Sequence, residues 1–135
     1  MKKILIAAVM CIWAAGAFAM DLTSEMSEIV KTVEYYIDGG RKGSGDTMKK
    51  AFHPAATIYS KNGGGPIQLL FDMVEGKPAK DIPYTISAVD IKEDIAMVRI
   101  EIDSWLGNKY TDMFTMIKTD GEWKIISKVS YTHPK

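Results

Sequence analysis

Between Tyr110 and His133 two runs rich in aromatic and β-branched residues flank the pair Asp120-Gly121. Asp-Gly between such runs is among the strongest hairpin signals a chain can carry, because both residues accept the positive φ of a tight turn. Two registers are open. In a two-residue type I′ turn, Thr119 faces Glu122 and Asp112 falls opposite Val129. If Gly121 instead takes the left-handed position of a bulged turn, Lys118 faces Glu122 and Asp112 falls opposite Lys128. The bulged register is the expected one, since it pairs opposite charges and sets Ile117 against Trp123. It collects Met113, Ile117, Trp123, Ile125 and Val129 on one apolar face. The other face then carries Tyr110, Asp112, Phe114, Ile126 and Lys128.

Residues 1–19 read as a secretory signal. Lys2 and Lys3 form a positive start, Ile4 to Ala15 an apolar run, and Ala17-Phe18-Ala19 a small-x-small cleavage motif. That run is short of the ~20 residues a spanning helix needs, so no stable membrane insertion is expected after cleavage. The expected product is a single domain over 20–135, periplasmic or secreted. Cys11, the only cysteine, leaves with the leader, and disulfides, thiolate nucleophiles and Cys-based metal sites go with it. Losing Lys2 and Lys3 turns 17 basic against 17 acidic residues into a net charge of −2. No basic excess or Arg-Lys cluster remains, which excludes nucleic acid as an expected partner.

From Asp21 to Ile37 the apolar residues Leu22, Met26, Ile29, Val30, Val33, Tyr36 and Ile37 recur at helical spacing and predict one buried stripe. Gly39-Gly40 should stop this helix. Asp46 is the expected N-cap of a short helix over 47–52, with Pro54 beyond it. A brief strand over 57–60, a turn over 62–66 and a short helix over 67–74 follow. Strands are expected over 84–89 and through Ala96, Val98, Ile100 and Ile102, whose alternation with polar neighbours marks a half-buried strand. Ser104 to Asn108 turns the chain into the hairpin. Helices set apart from a run of antiparallel strands predict an α+β domain with helices on one face of a curved sheet.

Tyr35-Tyr36, Gly45-Asp46, the run Phe52-His53-Pro54-Ala55-Ala56-Thr57-Ile58 and the run Asp120-Gly121-Glu122-Trp123-Lys124-Ile125 together resemble the nuclear transport factor 2-like superfamily. Within it the chain is similar to the group described as putative lumazine-binding and to SnoaL-like proteins. The resemblance implies a cone-shaped fold with a pocket at its mouth, and a homodimer formed through the outer face of the sheet. The superfamily's ketosteroid isomerases carry an aspartate base shortly after an Ala-Thr-hydrophobic strand. The aligned position here is Ser60, which cannot abstract a carbon-bound proton, so steroid isomerisation is not expected.

The residues expected to line a ligand pocket are Tyr36, His53, Tyr59, Trp105, Tyr110, Asp112, Trp123 and Lys128. Asp112 and Lys128 form the sharpest pair: pointed into a cone they are desolvated and tunable for acid–base work or for holding a polar ligand. On the sheet surface they would be a structural ion pair. The aromatic rings could stack on a planar ligand or simply fill the core. The first functional expectation is an exported domain binding a small molecule without catalysis. A dehydratase, isomerase or hydrolase using Asp112 with Tyr35, Tyr36 or His53 is the second, and a ligand-free dimeric interaction module the third. His133 is expected to be exposed, and two histidines so far apart predict no zinc site. No cofactor is expected. Phe114, Met116 and Ile126 on an exposed face would favour burial against a partner.

Overall fold

A computed structural model describes the backbone from Lys2 to Lys135 and the side chains from Leu22 onward. The expected leader, its cleavage after Ala19 and Cys11 lie outside the residues whose side chains are described. Two compact units divide at Lys31 and Thr32. In the first, side chains are described only within the helix α1 (Lys2–Lys42), where Leu22, Met26 and Val30 are each more than a third exposed rather than part of a buried stripe. No helix among the described residues is long and apolar enough to cross a membrane.

The second unit, Thr32–Lys135, holds the end of α1, two short helices and a six-stranded sheet. After α1 come α2 (Gly45–Lys49), β1 (Phe52–Ser60), β2 (Gly63–Pro66), α3 (Gln68–Val74), β3 (Tyr84–Lys92), β4 (Ile95–Trp105), β5 (Asn108–Thr119) and β6 (Glu122–Thr132). The strand order is β2-β1-β6-β5-β4-β3. Only β1 against β6 runs parallel; the other pairings are antiparallel. This is the expected α+β architecture.

The end of α1 differs from expectation for a packing reason. Gly39 and Gly40 do not stop the helix, which continues to Lys42. A Cβ on Gly39 would lie 2.4 Å from the Cβ of Met48, and one on Gly40 would lie 2.4 Å from the Trp105 ring. The pair therefore serves close approach, and the left-handed Gly43, at φ 62°, ends the helix. Ser44, not Asp46, caps α2, its Oγ accepting from the Thr47 N–H at 3.1 Å. Strand β1 begins at Phe52 and absorbs Pro54 across an irregular stretch of its pairing, where no ladder donor is needed. The expected 62–66 turn proves to hold the short edge strand β2.

The central hairpin follows neither expected register along its whole length. Asp120 and Gly121 both have left-handed φ, 52° and 77°, and Thr119 faces Glu122, so the tip is the two-residue turn. A bulge then intervenes: Met116 pairs with Ile125, but Thr115 pairs with Ser127. Beyond it Phe114 faces Lys128 and Asp112 faces Ser130. The extra residue reverses which side chains share a face. Phe114, Met116, Trp123 and Ile125 are buried with Asp112 and Lys128, while Met113 and Val129 turn outward, about half exposed. Phe114 and Met116 thus belong to the core and not to an exposed face.

The last turns of α1 lie against this buried face. Thr32 Oγ1 donates to the Trp123 carbonyl at 2.9 Å, and the Tyr36 ring packs edge-on against Phe52 and Phe114. Val98, Ile100 and Ile102 of β4 complete the wall, each at most 2% exposed, as their alternation predicted.

Candidate functional site

Asp112 sits in mid-β5 and Lys128 and Ser130 in β6, all on the buried face because of the bulge. Tyr36 descends from α1 onto the same point. Its hydroxyl donates to Asp112 Oδ2 at 2.7 Å, and the Ser130 hydroxyl donates to Oδ1 at 2.5 Å. Lys128 Nζ donates to Ser130 Oγ and lies 3.3 Å from Asp112 Oδ1. Asp112 is 1% exposed and Lys128 5%, so this is a desolvated ion pair inside a hydrogen-bonded network. The ammonium also stands 5.7 Å above the Tyr36 ring.

Burial is the main cause that pushes the Tyr36 phenol well above its ordinary range, reinforced by the Asp112 charge, by its hydrogen bond to that carboxylate and by Tyr110. Tyr36 therefore keeps its proton at neutral pH and acts as a donor. No buried side-chain nitrogen or oxygen among the described residues lacks a partner. Capacity remains nonetheless: Lys128 has a third N–H, and the Tyr36 oxygen and the Asp112 carboxylate keep free lone pairs.

These four residues form the polar end of a cavity of about 370 Å³. Ile58 and Ser60 of β1 and Leu70, Met73 and Val74 of α3 form one side. Trp105, the last residue of β4, and Leu106, in the turn after it, close the other. Among the described residues Asp112 and Lys128 are the only charged ones lining it, and their charges offset one another.

Five of the eight expected pocket residues come together here: Tyr36, Trp105, Tyr110, Asp112 and Lys128. Three stand elsewhere. Trp123 is sealed in the core at 1% exposure, paired with Lys118 on the hairpin-tip side of the bulge, four pairs beyond Phe114. Tyr59 pairs with the outward-facing Val129, is half exposed and lines an adjoining groove. His53 accepts the Ala55 N–H on Nδ1 at 3.0 Å, a local β1 contact away from the cavity lining. Tyr35 lies under Lys50 and not beside Asp112. His133 is half-buried rather than exposed, packed on Tyr131 and 2.9 Å from Thr111 Oγ1. Among the described residues no three His, Cys, Asp or Glu side chains gather as metal ligands would.

Ser130 was not among the expected residues, although it lies two positions beyond Lys128 and strand alternation alone puts both on one face. The α3 residues and Leu106 carry no comparable signal, since apolar side chains at a cavity mouth look like core in sequence.

Over residues 24–131 the chain matches the model of the family described as "Putative lumazine-binding". It is 30% identical over 119 residues to a protein named aldolase FrzH from Cladobotryum sp., a match covering 84% of this chain and 95% of the relative. Among solved structures it is similar to an NTF2-like protein of unknown function from Shewanella baltica, with 34% identity, 84% and 97% of the two chains covered, and a TM-score of 0.78. A second NTF2-like protein of unknown function, from Methylobacillus flagellatus, shares 32% identity over 82% of this chain and 94% of its own, with a TM-score of 0.77. A buried polar network at the end of a largely apolar cavity, on a helix-backed sheet matched over most of its length, is thus the setting in which this protein belongs to the putative lumazine-binding family of the nuclear transport factor 2-like superfamily.

Proposed function

We propose that this protein binds a small, mainly apolar molecule in the cavity and holds its polar end with the Tyr36–Asp112–Lys128–Ser130 network. The observation that carries this reading is the placement of a buried, hydrogen-bonded carboxylate and ammonium with donor and acceptor capacity to spare in a largely apolar cavity. The lumazine-binding family label supports a small-molecule ligand. The signal-like run over residues 1–19 supports an exported, non-cytoplasmic protein.

A catalytic reading is favoured by one feature of the same site. Asp112 and Tyr36 are two titratable groups 2.7 Å apart at the cavity's polar end, the arrangement general acid–base chemistry needs. The name of the aldolase relative supports chemistry at a carbonyl compound. One experiment separates binding from turnover: native mass spectrometry of wild type and Asp112→Asn, each purified without denaturation from its host. Retained mass in wild type and its loss in the variant is the expected result and supports binding. Mass retained only in the variant supports turnover, since a substrate then accumulates on a disabled site. No retained mass in either protein would count against both.

We also propose a homodimer through the outer sheet face, where Met97, Met113, Val129 and Tyr131 are each about half exposed or more. Light scattering should give twice the chain mass for wild type and the monomer mass for Met113→Arg. A monomeric wild type would overturn this.

A further inference from the structure

Beside the cavity that holds Asp112 lies a second one of about 310 Å³, and Ile58, Ser60, Met73 and Ser130 line both. Tyr59, Gly63, Gly64 and Leu69 form the rest of its wall, none of them charged. Its openness has a backbone cause. A Cβ on Gly64 would stand 2.0 Å from the Ile58 carbonyl oxygen, so the tight β1–β2 pairing admits no side chain there, and the left-handed φ of 116° at Gly63 disfavours one beside it. Leu69 and Tyr59, both 48% exposed, border it. The two cavities together run from a buried polar end to an apolar end open to solvent.

The charge pattern at the polar end selects among ligands. An anionic group reaching Lys128 would also meet the Asp112 carboxylate, 3.3 Å from that ammonium, and a cationic group reaching Asp112 would meet Lys128. A neutral oxygen escapes both conflicts, accepting the third Lys128 N–H or, as a hydroxyl, donating to Asp112 or to the Tyr36 oxygen. Building on the binding function proposed above, we infer that the two cavities form one site for an elongated, uncharged molecule. Its carbonyl or hydroxyl oxygen sits at Tyr36, Asp112 and Lys128, and its apolar body passes Met73 and Ser60 into the groove beside Leu69 and Gly64.

Length is then the specificity determinant, and linear methyl ketones of increasing chain length are the probe. Binding of pentanone, octanone and undecanone, followed by ligand-observed NMR, should tighten by up to about fourfold for each added CH₂ buried. Leu69→Trp puts an indole into the outer groove only, at an exposed position where folding is little affected. The ratio of undecanone to pentanone affinity should fall at least about tenfold in that variant, the equivalent of fewer than two buried CH₂ groups. The same length dependence in wild type and Leu69→Trp would overturn the elongated site. If pentanone binds and weakens in Asp112→Asn while longer ketones gain nothing, the elongated site falls and the binding function stands. No binding by any ketone overturns the inference, and the binding function then rests on the native mass spectrum.

Discussion

Asp112→Ala is expected to lower folding stability by about 3–5 kcal/mol, measured by urea unfolding. The substitution leaves the Lys128 ammonium, 5% exposed, without its counter-charge and removes the acceptor of both the Tyr36 and Ser130 hydroxyls. Most of the loss is the penalty of an uncompensated buried charge, not the worth of the pair, because two charges already pay desolvation in the folded protein. The double variant Asp112→Leu with Lys128→Met should therefore recover much of the stability lost by Asp112→Ala alone. Additive losses would show that the two residues are not coupled and that the network does not act as a unit. Recovery would instead support the proposed binding role, because it would show that folding does not require the carboxylate and the ammonium.

Trp123→Ala should cost about 3–5 kcal/mol as well, for a different reason. Trp123 is 1% exposed, its carbonyl takes the Thr32 hydroxyl, and its side chain is among the largest sealed in the core. Truncation leaves a cavity in the core that the surrounding structure closes only in part. Because Trp123 does not line the cavity that holds Asp112, the proposed function predicts that the folded fraction of the variant keeps wild-type affinity for a retained ligand or for a methyl ketone. A selective loss of affinity with stability unchanged would reverse the assignment and make Trp123 a contact residue. The contrast with Trp105, which does line the cavity, is internal to the experiment.

How much of this was legible in the chain depends on whether local or distant atoms decide it. The inward stripe of β4 and the Asp120-Gly121 turn follow from two-residue alternation and from backbone preferences of single residues. Asp112 and Lys128 stood out as charged residues in apolar strands, and they do meet. The partition of the hairpin's faces was not legible, because the bulge at Ile126 reverses it, and nothing local in Lys124-Ile125-Ile126-Ser127 announces an extra residue. Sealing Ile125 into the core while also turning Lys128 inward requires an odd step, and only the packing partners demand both.

The glycines divide in the same way. Gly121 takes left-handed backbone at the turn that the sequence announced, whereas Gly43, also left-handed, ends α1 where the sequence pointed to Gly39-Gly40. Gly39 and Gly40 are helical, and their role is to let Met48 and Trp105 approach α1, neighbours that the chain brings there only after folding. The sequence by itself determined the α+β class and the central hairpin, and it singled out Asp112 and Lys128 as a pair while leaving open whether they lie in a cavity or on the sheet surface. Only the tertiary structure decided that Tyr36 and Ser130 complete that pair, that Trp105 and not Trp123 walls the cavity, and that Tyr59 turns outward. Those outcomes depend on which face of a strand is buried, and that is settled by everything packed against it.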